Sequence, residues 1–339
     1  MRRWWLGLLL LTLPVLGQSP CPTGSPDQTA AVQAAIDTQG TVTLGPRVVC
    51  LNARTGVRLP SGSHVRLAGA MVGVLPGCST SCKAFETVPG SNTVHIEGPG
   101  EIVGDLAPAT GLAIGVRVDS VDGFLMERVA FRDWRYDGFW VGGNLGSHNV
   151  VISEVSSRNF GRNGGSVVNG SDIDILGSVF EDSGSPTLLG AGLDIETNPG
   201  DSIARVLIAR CTFARNVIGL YTHRPSNGGV EVSDVTVVGS TFLDNSSYQA
   251  IFNSVQKLEV AGNSFSGGPR GVSIGSLTEA ARAFKVNFVG NVVSRTPRAL
   301  ILAGVRDSQF IDNVLSSQKE EPVLGTKGDM VFLRNVVVP

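Results

Sequence analysis

Charge is scarce in this chain: Asp, Glu, Lys and Arg make up 17% of its 339 residues and sum to −2. So thin and balanced a distribution offers no basic stripe to nucleic acid and no cationic patch to an anionic bilayer, and neither is expected as a partner. Long apolar runs are also missing. The one candidate, Trp4 to Leu13, is too short to span a membrane. Arg2 and Arg3 precede it and the exit Pro14-Val15-Leu16-Gly17 follows, so residues 1–17 read as an export signal. The mature domain is then 18–339, without membrane insertion, secreted or extracytoplasmic, and a monomer. Only four methionines stand against 43 glycines, a composition suited to tight turns and β-branched strands.

Five cysteines fit an oxidising compartment. Cys78 and Cys82 could close a small loop, and Cys21 and Cys50 could tie the start of the mature chain to the first coil. Cys211 falls at an inward position of the chain's repeat and reads as a buried free thiol. No second close Cys or His pair accompanies Cys78 and Cys82, so no metal centre is assigned there.

What the chain has in abundance is one pattern: apolar, any, apolar, two of any, small or Asn, any, apolar. It reads Val206-x-Ile208-x-x-Cys211-x-Phe213, then Val235-x-Val237-x-x-Ser240-x-Phe242 and Leu258-x-Val260-x-x-Asn263-x-Phe265. Copies begin at Val65, Val94, Phe124, Val150, Ile173, Val286, Ser308 and Met330 as well. The closest starts, Val286 to Ser308 and Ser308 to Met330, are 22 residues apart, and the most distant, Ile173 and Val206, are 33 apart. That period suits three short strands and three turns per coil, hence an all-β solenoid of about eleven coils. Asn263, Asn291, Asn313 and Asn335 fall at the same bend of four consecutive coils, where stacked amides can bond along the axis.

This repeat resembles the pectate-lyase-like right-handed parallel β-helix superfamily, over most of the mature chain. The segment Asp27 to Asp37, followed by Gly40-Thr41-Val42-Thr43-Leu44, is similar to that superfamily's N-terminal capping helix and first strand. Such a helix would shield an open sheet edge. The resemblance implies a polysaccharide ligand in a groove on one face. It transfers no catalytic residue, because the polygalacturonase motifs and the Asp-Pro-His of the alginate epimerases are absent.

A second strand precedes each repeat and can be aligned on a Gly or Ala lead-in, such as Gly192-Leu-Asp-Ile-Glu196 and Gly219-Leu-Tyr-Thr-His223. Its second and fourth residues after the lead-in should face solvent. One outward column then reads Arg117, Trp140, Val167, Asp194, Tyr221, Phe252, Ser273, Ile301. The other reads Asp119, Gly142, Asn169, Glu196, His223, Ser254, Gly275, Ala303. Asp194, Glu196, Tyr221 and His223 form a two-by-two array, with Arg224 next in sequence and Trp140 and Phe252 flanking. Val206 follows Ile195 by eleven positions and Val235 follows Thr222 by thirteen, so long loops should wall this level.

Two carboxylates at such spacing could divide acid and base work on a glycosidic bond. Alternatively, Arg224 could neutralise a uronate while His223 and Tyr221 move protons in a β-elimination or a C5 epimerisation. Asp194 and Glu196 are the expected acid and base, assisted by His223, Tyr221 and Arg224. Trp140, Phe252, Asn169 and Asp137 are the expected substrate-binding residues. No cofactor is required by this reading, although calcium could gather oxygens from Asp194, Glu196 and Asn198. A glycoside hydrolase or polysaccharide lyase is the leading expectation, and a non-catalytic cell-surface or glycan-binding β-helix the alternative. Each of these residues taken alone reads equally well as a solvated strand position; their co-location carries the functional reading.

Overall fold

The structure, a computed structural model, describes residues 20–78, 80–106, 112–184, 190–224, 232–276, 282–316 and 329–338. The expected export signal, residues 1–17, lies outside them. Short strands succeed one another across tight bends, and each pairs in parallel with its counterpart one coil away. Ile203–Ala209, Thr212–Ala214 and Ile218–His223 form one coil. Val232–Val238, Thr241–Leu243 and Tyr248–Phe252 stack on them in the same order. Repetition builds a 23-stranded sheet from the first two positions and a separate 10-stranded sheet from the third. The ten stacked strands make about nine turns, slightly fewer than the eleven coils read from the repeat. The copies beginning at Ser308 and Met330 contribute described strands to the larger sheet alone.

The bend inside the repeat needs one residue in the left-handed region. Gly239, Gly262 and Gly290 supply it at φ 59°, 62° and 64°. Arg210 does so at φ 54°, where a side chain costs about 1–2 kcal/mol. The next residue turns inward. Asn263 Nδ2 donates to Asn291 Oδ1 at 3.0 Å and to the Val237 carbonyl at 2.9 Å. Asn291 and Asn313 repeat the arrangement with the next Asn, at 3.1 and 2.8 Å. The expected ladder is present, and a shorter one joins Asn216 to Asn245 at another bend.

Inward apolar residues fill the interior. Phe180, Phe213, Phe242 and Phe265 stack with centroids 5.1, 4.7 and 4.5 Å apart, each contact worth about 0.5–1.5 kcal/mol beyond its area. At the N-terminal end the helix Thr29–Gln39 buries Val32 and Ile36. Its Gln33 amide accepts the Arg58 N–H at 2.7 Å and donates to the Arg58 carbonyl at 3.0 Å, imitating a strand against the open edge. Disulfides join Cys21 to Cys50 and Cys78 to Cys82. Cys211 is free and buried, and burial pushes its thiol up to about 11.

Candidate active site on the smaller sheet

Ala191–Glu196 and Ile218–His223 are neighbours in the smaller sheet. Strand alternation sends Leu193, Ile195, Leu220 and Thr222 inward, all fully buried, and leaves Asp194, Glu196, Tyr221 and His223 outward. The register sets Asp194 opposite Tyr221 and Glu196 opposite His223, the two-by-two array read from the sequence.

These four side chains converge. His223 Nε2 lies 3.3 Å from Asp194 Oδ1 and 3.9 Å from Glu196 Oε2. The Tyr221 ring stacks on the His223 ring with centroids 4.1 Å apart and planes 16° from parallel. Burial alone would lower the His223 pKa, but the Asp194 and Glu196 carboxylates more than offset it and the pKa is raised. Glu196 is also raised, first by burial and then by the Asp194 charge, with His223 and Arg162 opposing. Tyr221 is raised by burial and by both carboxylates, which keeps its phenol protonated.

A buried network lies beneath. Asp194 Oδ2 accepts from Asn163 Nδ2 at 3.2 Å. Asn163 Nδ2 also reaches Ser166 Oγ at 3.1 Å, and its Oδ1 takes the Ala191 N–H at 2.8 Å. Ser166 donates to Asp137, which is fully buried and held by both Nε and Nη2 of Arg162. Among the described residues Asp194 Oδ1 has no hydrogen-bond partner, only the ionic approach of His223.

The family described as "Right handed beta helix region" matches residues 110–265. The A-module of Azotobacter vinelandii mannuronan C-5 epimerase AlgE4 is similar at TM-score 0.74 and 14% identity, over 92% of this chain and 93% of that one. The fold is a right-handed parallel β-helix. The tailspike of E. coli bacteriophage HK620, solved with a pentasaccharide, is similar at TM-score 0.74 and 15% identity. That match covers 94% of this chain and 64% of the tailspike. No curated protein matches this sequence.

The β-helix register corrects four of the expected outward positions: Val167, Asn169, Phe252 and, by the same shift as Phe252, Ser254, whose place beside His223 falls to Asn253. Trp140 pairs with Arg117 on one side but with Ser166 on the other, and Ser166 pairs with Asp194. Val167 is therefore inward and buried. The Gly ladder explains the slip: a Cβ on Gly115, Gly138, Gly164 or Gly192 would strike the carbonyl of the ladder residue one coil on. The counterpart of Gly138 is thus Gly164, while Gly165 lies under the Phe139 ring. By the same shift Val168, not Asn169, stands beside Glu196. Asn169 instead braces two turns, donating to the Gly143 carbonyl and accepting the Ser202 N–H. Phe252 is also misplaced by the sequence reading. It pairs with Thr222 and Ile274, is fully buried, and leaves Ile251 beside Tyr221 on the outer face. A one-residue slip exchanges the two faces of a strand. Asp137, expected to contact substrate, is instead buried beneath the face with Arg162 and Ser166.

A cavity of about 270 Å³ opens beside Glu196, lined among others by Trp140, Arg117, Arg162 and Asn198. Arg162 escaped the sequence reading because it sits in a turn. Its one signal was Asp137, one coil earlier. It is the cation whose charge reaches both Glu196 and His223. Arg224 is half-buried directly after the His223 strand. The long connection after Thr222 falls mostly on residues 225–231, outside the described residues. Asp194, Glu196 and His223 place three ligand atoms within 4.8 Å of one another, as do His64, His95 and Glu97 on the larger sheet. Either donor set, with its imidazole, suits a transition metal better than calcium.

Proposed function

We propose that this β-helix is an exported polysaccharide-modifying enzyme that acts by proton transfer on uronate-containing chains, as a lyase or an epimerase. The observation that carries the reading is the convergence of Asp194 and Glu196 on His223 Nε2. A hydrolytic pair needs its two carboxyls on either side of the glycosidic bond; here both carboxylates converge on one imidazole nitrogen, the three ligand atoms lying within 4.8 Å of one another. His223 Nε2 faces both carboxylates, and with the proton on that nitrogen neutral His223 has Nδ1 as its basic atom. In an elimination the base takes the C5 proton, the C–H pair becomes the C4=C5 bond and the C4–O bond breaks. The protonated Tyr221 then supplies the leaving oxygen's proton. In an epimerisation the C4–O bond stays intact and Tyr221 gives its proton to the opposite face of C5 instead. Arg162, which lines the cavity beside Glu196, and Arg224, next to His223 in sequence, are the cations assigned to the uronate carboxylate. The similarity to a mannuronan epimerase and to a tailspike solved with a pentasaccharide supports the glycan as ligand. Two disulfides support an oxidising, extracytoplasmic setting.

The test is incubation with mannuronan, polygalacturonate and neutral glucans. Unsaturated ends, reducing ends and C5 configuration are followed by absorbance, a reducing-end assay and proton NMR. Unsaturated ends or inverted C5 centres, lost in His223→Ala and Tyr221→Phe, support the proposal. Reducing ends without unsaturation would return the hydrolase built on Asp194 and Glu196. Binding without any product would leave a glycan-binding scaffold.

A further inference from the structure

We infer that the bound glycan lies on the N-terminal side of Asp194, one sugar ring on Trp140 and its carboxylate at Arg162. This assignment rests on the reading of the smaller sheet as a glycan-processing face, and it adds direction and a carboxylate-specific subsite. The two sides of the reactive array are unlike. Toward the N-terminus the outward column continues through Ser166, Trp140, Arg117 and Glu86. Toward the C-terminus it continues through Ile251, Ser273 and Ile301, with no charge. The cavity belongs to the first side. It begins at Glu196 and reaches Cys82 and Lys83, four strands away, or about 19 Å at ordinary strand spacing. That length holds several sugar units.

Trp140 is shaped as a platform. Its indole lies down over Gly142, where a Cβ would come within 2.8 Å of the ring, so a side chain at 142 would lift it. The Arg117 guanidinium lies over the ring, 5.1 Å from its centroid, and is itself tied to Asp119 at 2.8 Å, so a sugar ring on Trp140 shares the ring with that cation or displaces it. Arg162 is equally fixed. Asp137 takes its Nε and Nη2, the Tyr136 ring lies 5.7 Å beneath its Cζ, and Nη1 makes no hydrogen bond to a described residue. A guanidinium anchored on one edge, lining a cavity with the other, recognises a carboxylate without having to be ordered first. On the opposite side the half-buried aromatic is Tyr248, at the start of its strand, with the Arg270 guanidinium over its ring at 4.7 Å from the centroid.

The two readings of direction separate by binding alone. Trp134 is buried, its indole N–H on the Ile102 carbonyl at 3.2 Å, so among the described tryptophans Trp140 is the one a ligand can touch. The full chain would be titrated with hexamers of mannuronate, galacturonate and glucose, by calorimetry and tryptophan fluorescence. Expected are saturable binding of a uronate hexamer, weak or absent binding of the glucose hexamer, and a fluorescence change lost in Trp140→Phe. Trp140→Ala should weaken binding at least about tenfold, and Tyr248→Ala should leave it unchanged. Weakening by Tyr248→Ala with none by Trp140→Ala would overturn the assignment, as would equal binding of the neutral hexamer or no binding of any hexamer. Tight Trp140-dependent binding without turnover would sink the enzymatic reading and leave this subsite standing. Turnover with an affinity indifferent to Trp140 would do the reverse.

Discussion

Asn163 Nδ2 donates to Asp194 Oδ2 at 3.2 Å, and that bond decides which oxygen of Asp194 faces His223. With Oδ2 engaged below, Oδ1 is turned to His223 Nε2 at 3.3 Å. Asn163 therefore acts on the imidazole through a carboxylate. Replacing it with Ala leaves the Ala191 N–H without its acceptor and should cost about 1–3 kcal/mol of stability in urea unfolding. The more telling readout is the His223 pKa, followed by NMR. Freed to rotate, Asp194 should support the charged ring less well, and the pKa should fall. An unchanged His223 titration in a folded Asn163→Ala protein would show that Asn163 does not orient Asp194.

Proton binding at this site has a definite sign. His223 and Glu196 both have raised pKa values, so the folded chain holds their protons more tightly than the unfolded one. The stability that His223 contributes is complete below its ordinary value of ~6.5 and is lost as pH rises through the raised one. Glu196 behaves alike from its own ordinary value of ~4.3 upward. Asp172 and Asp312, paired with arginines and depressed, act oppositely and only in acid, where protonation removes their contribution. Melting temperature should therefore decline between about pH 5 and pH 8. A Glu196→Gln, His223→Gln protein should decline less steeply over that interval, and an equal slope would mean that other groups carry the linkage.

Catalysis should follow the same imidazole. If His223 is the base, activity rises with pH through its raised pKa, so the acid limb of the rate profile lies above the ordinary histidine range. Asp194→Asn removes the nearer carboxylate and should move that limb toward lower pH. His223→Ala should lose about 10²–10⁴ in kcat. A limb that stays put in Asp194→Asn would assign it to a different group.

How far the sequence revealed this can be traced to particular residues. The alternating apolar pairs and the repeated Asn positions exposed the solenoid because burial and left-handed bends recur once per coil. Asp194, Glu196, Tyr221 and His223 were aligned correctly because Gly192 and Gly219 lead directly into their strands. The alignment failed where the lead-in is ambiguous. Gly164 and Gly165 are indistinguishable by type, though one stacks in the Gly ladder and the other makes room for Phe139. Before Ile251 the corresponding position is held by Gln249, buried with its amide on the Asn245 side chain and the Gly267 carbonyl, so Ala250 was mistaken for it. Arg162 was illegible because a turn has no periodicity; only its fit to Asp137 in three dimensions gives it a role.

The Asn ladder offers a test of the solenoid itself. Asn291 gives its amide protons to the Val260 carbonyl at 2.8 Å and to Asn313 Oδ1 at 3.1 Å. Its own Oδ1 accepts from both the backbone and the side chain of Asn263, at 2.9 and 3.0 Å. Truncation of this fully buried side chain takes the partner from the Asn263 backbone N–H and the Val260 carbonyl. Asn313 Oδ1 keeps the Asn291 N–H and Asn263 Nδ2 keeps the Val237 carbonyl. Asn291→Ala should therefore cost a few kcal/mol, at about 1–3 kcal/mol for each group that water cannot reach. Asn335 is half-buried at the end of the stack, donating to the Phe310 carbonyl at 2.7 Å with solvent close by. Asn335→Ala should then be the milder change, because water can replace the missing partner. Urea unfolding of the two variants side by side measures the difference. Equal losses would mean that the ladder contributes through local bend geometry alone and that burial along the axis adds nothing.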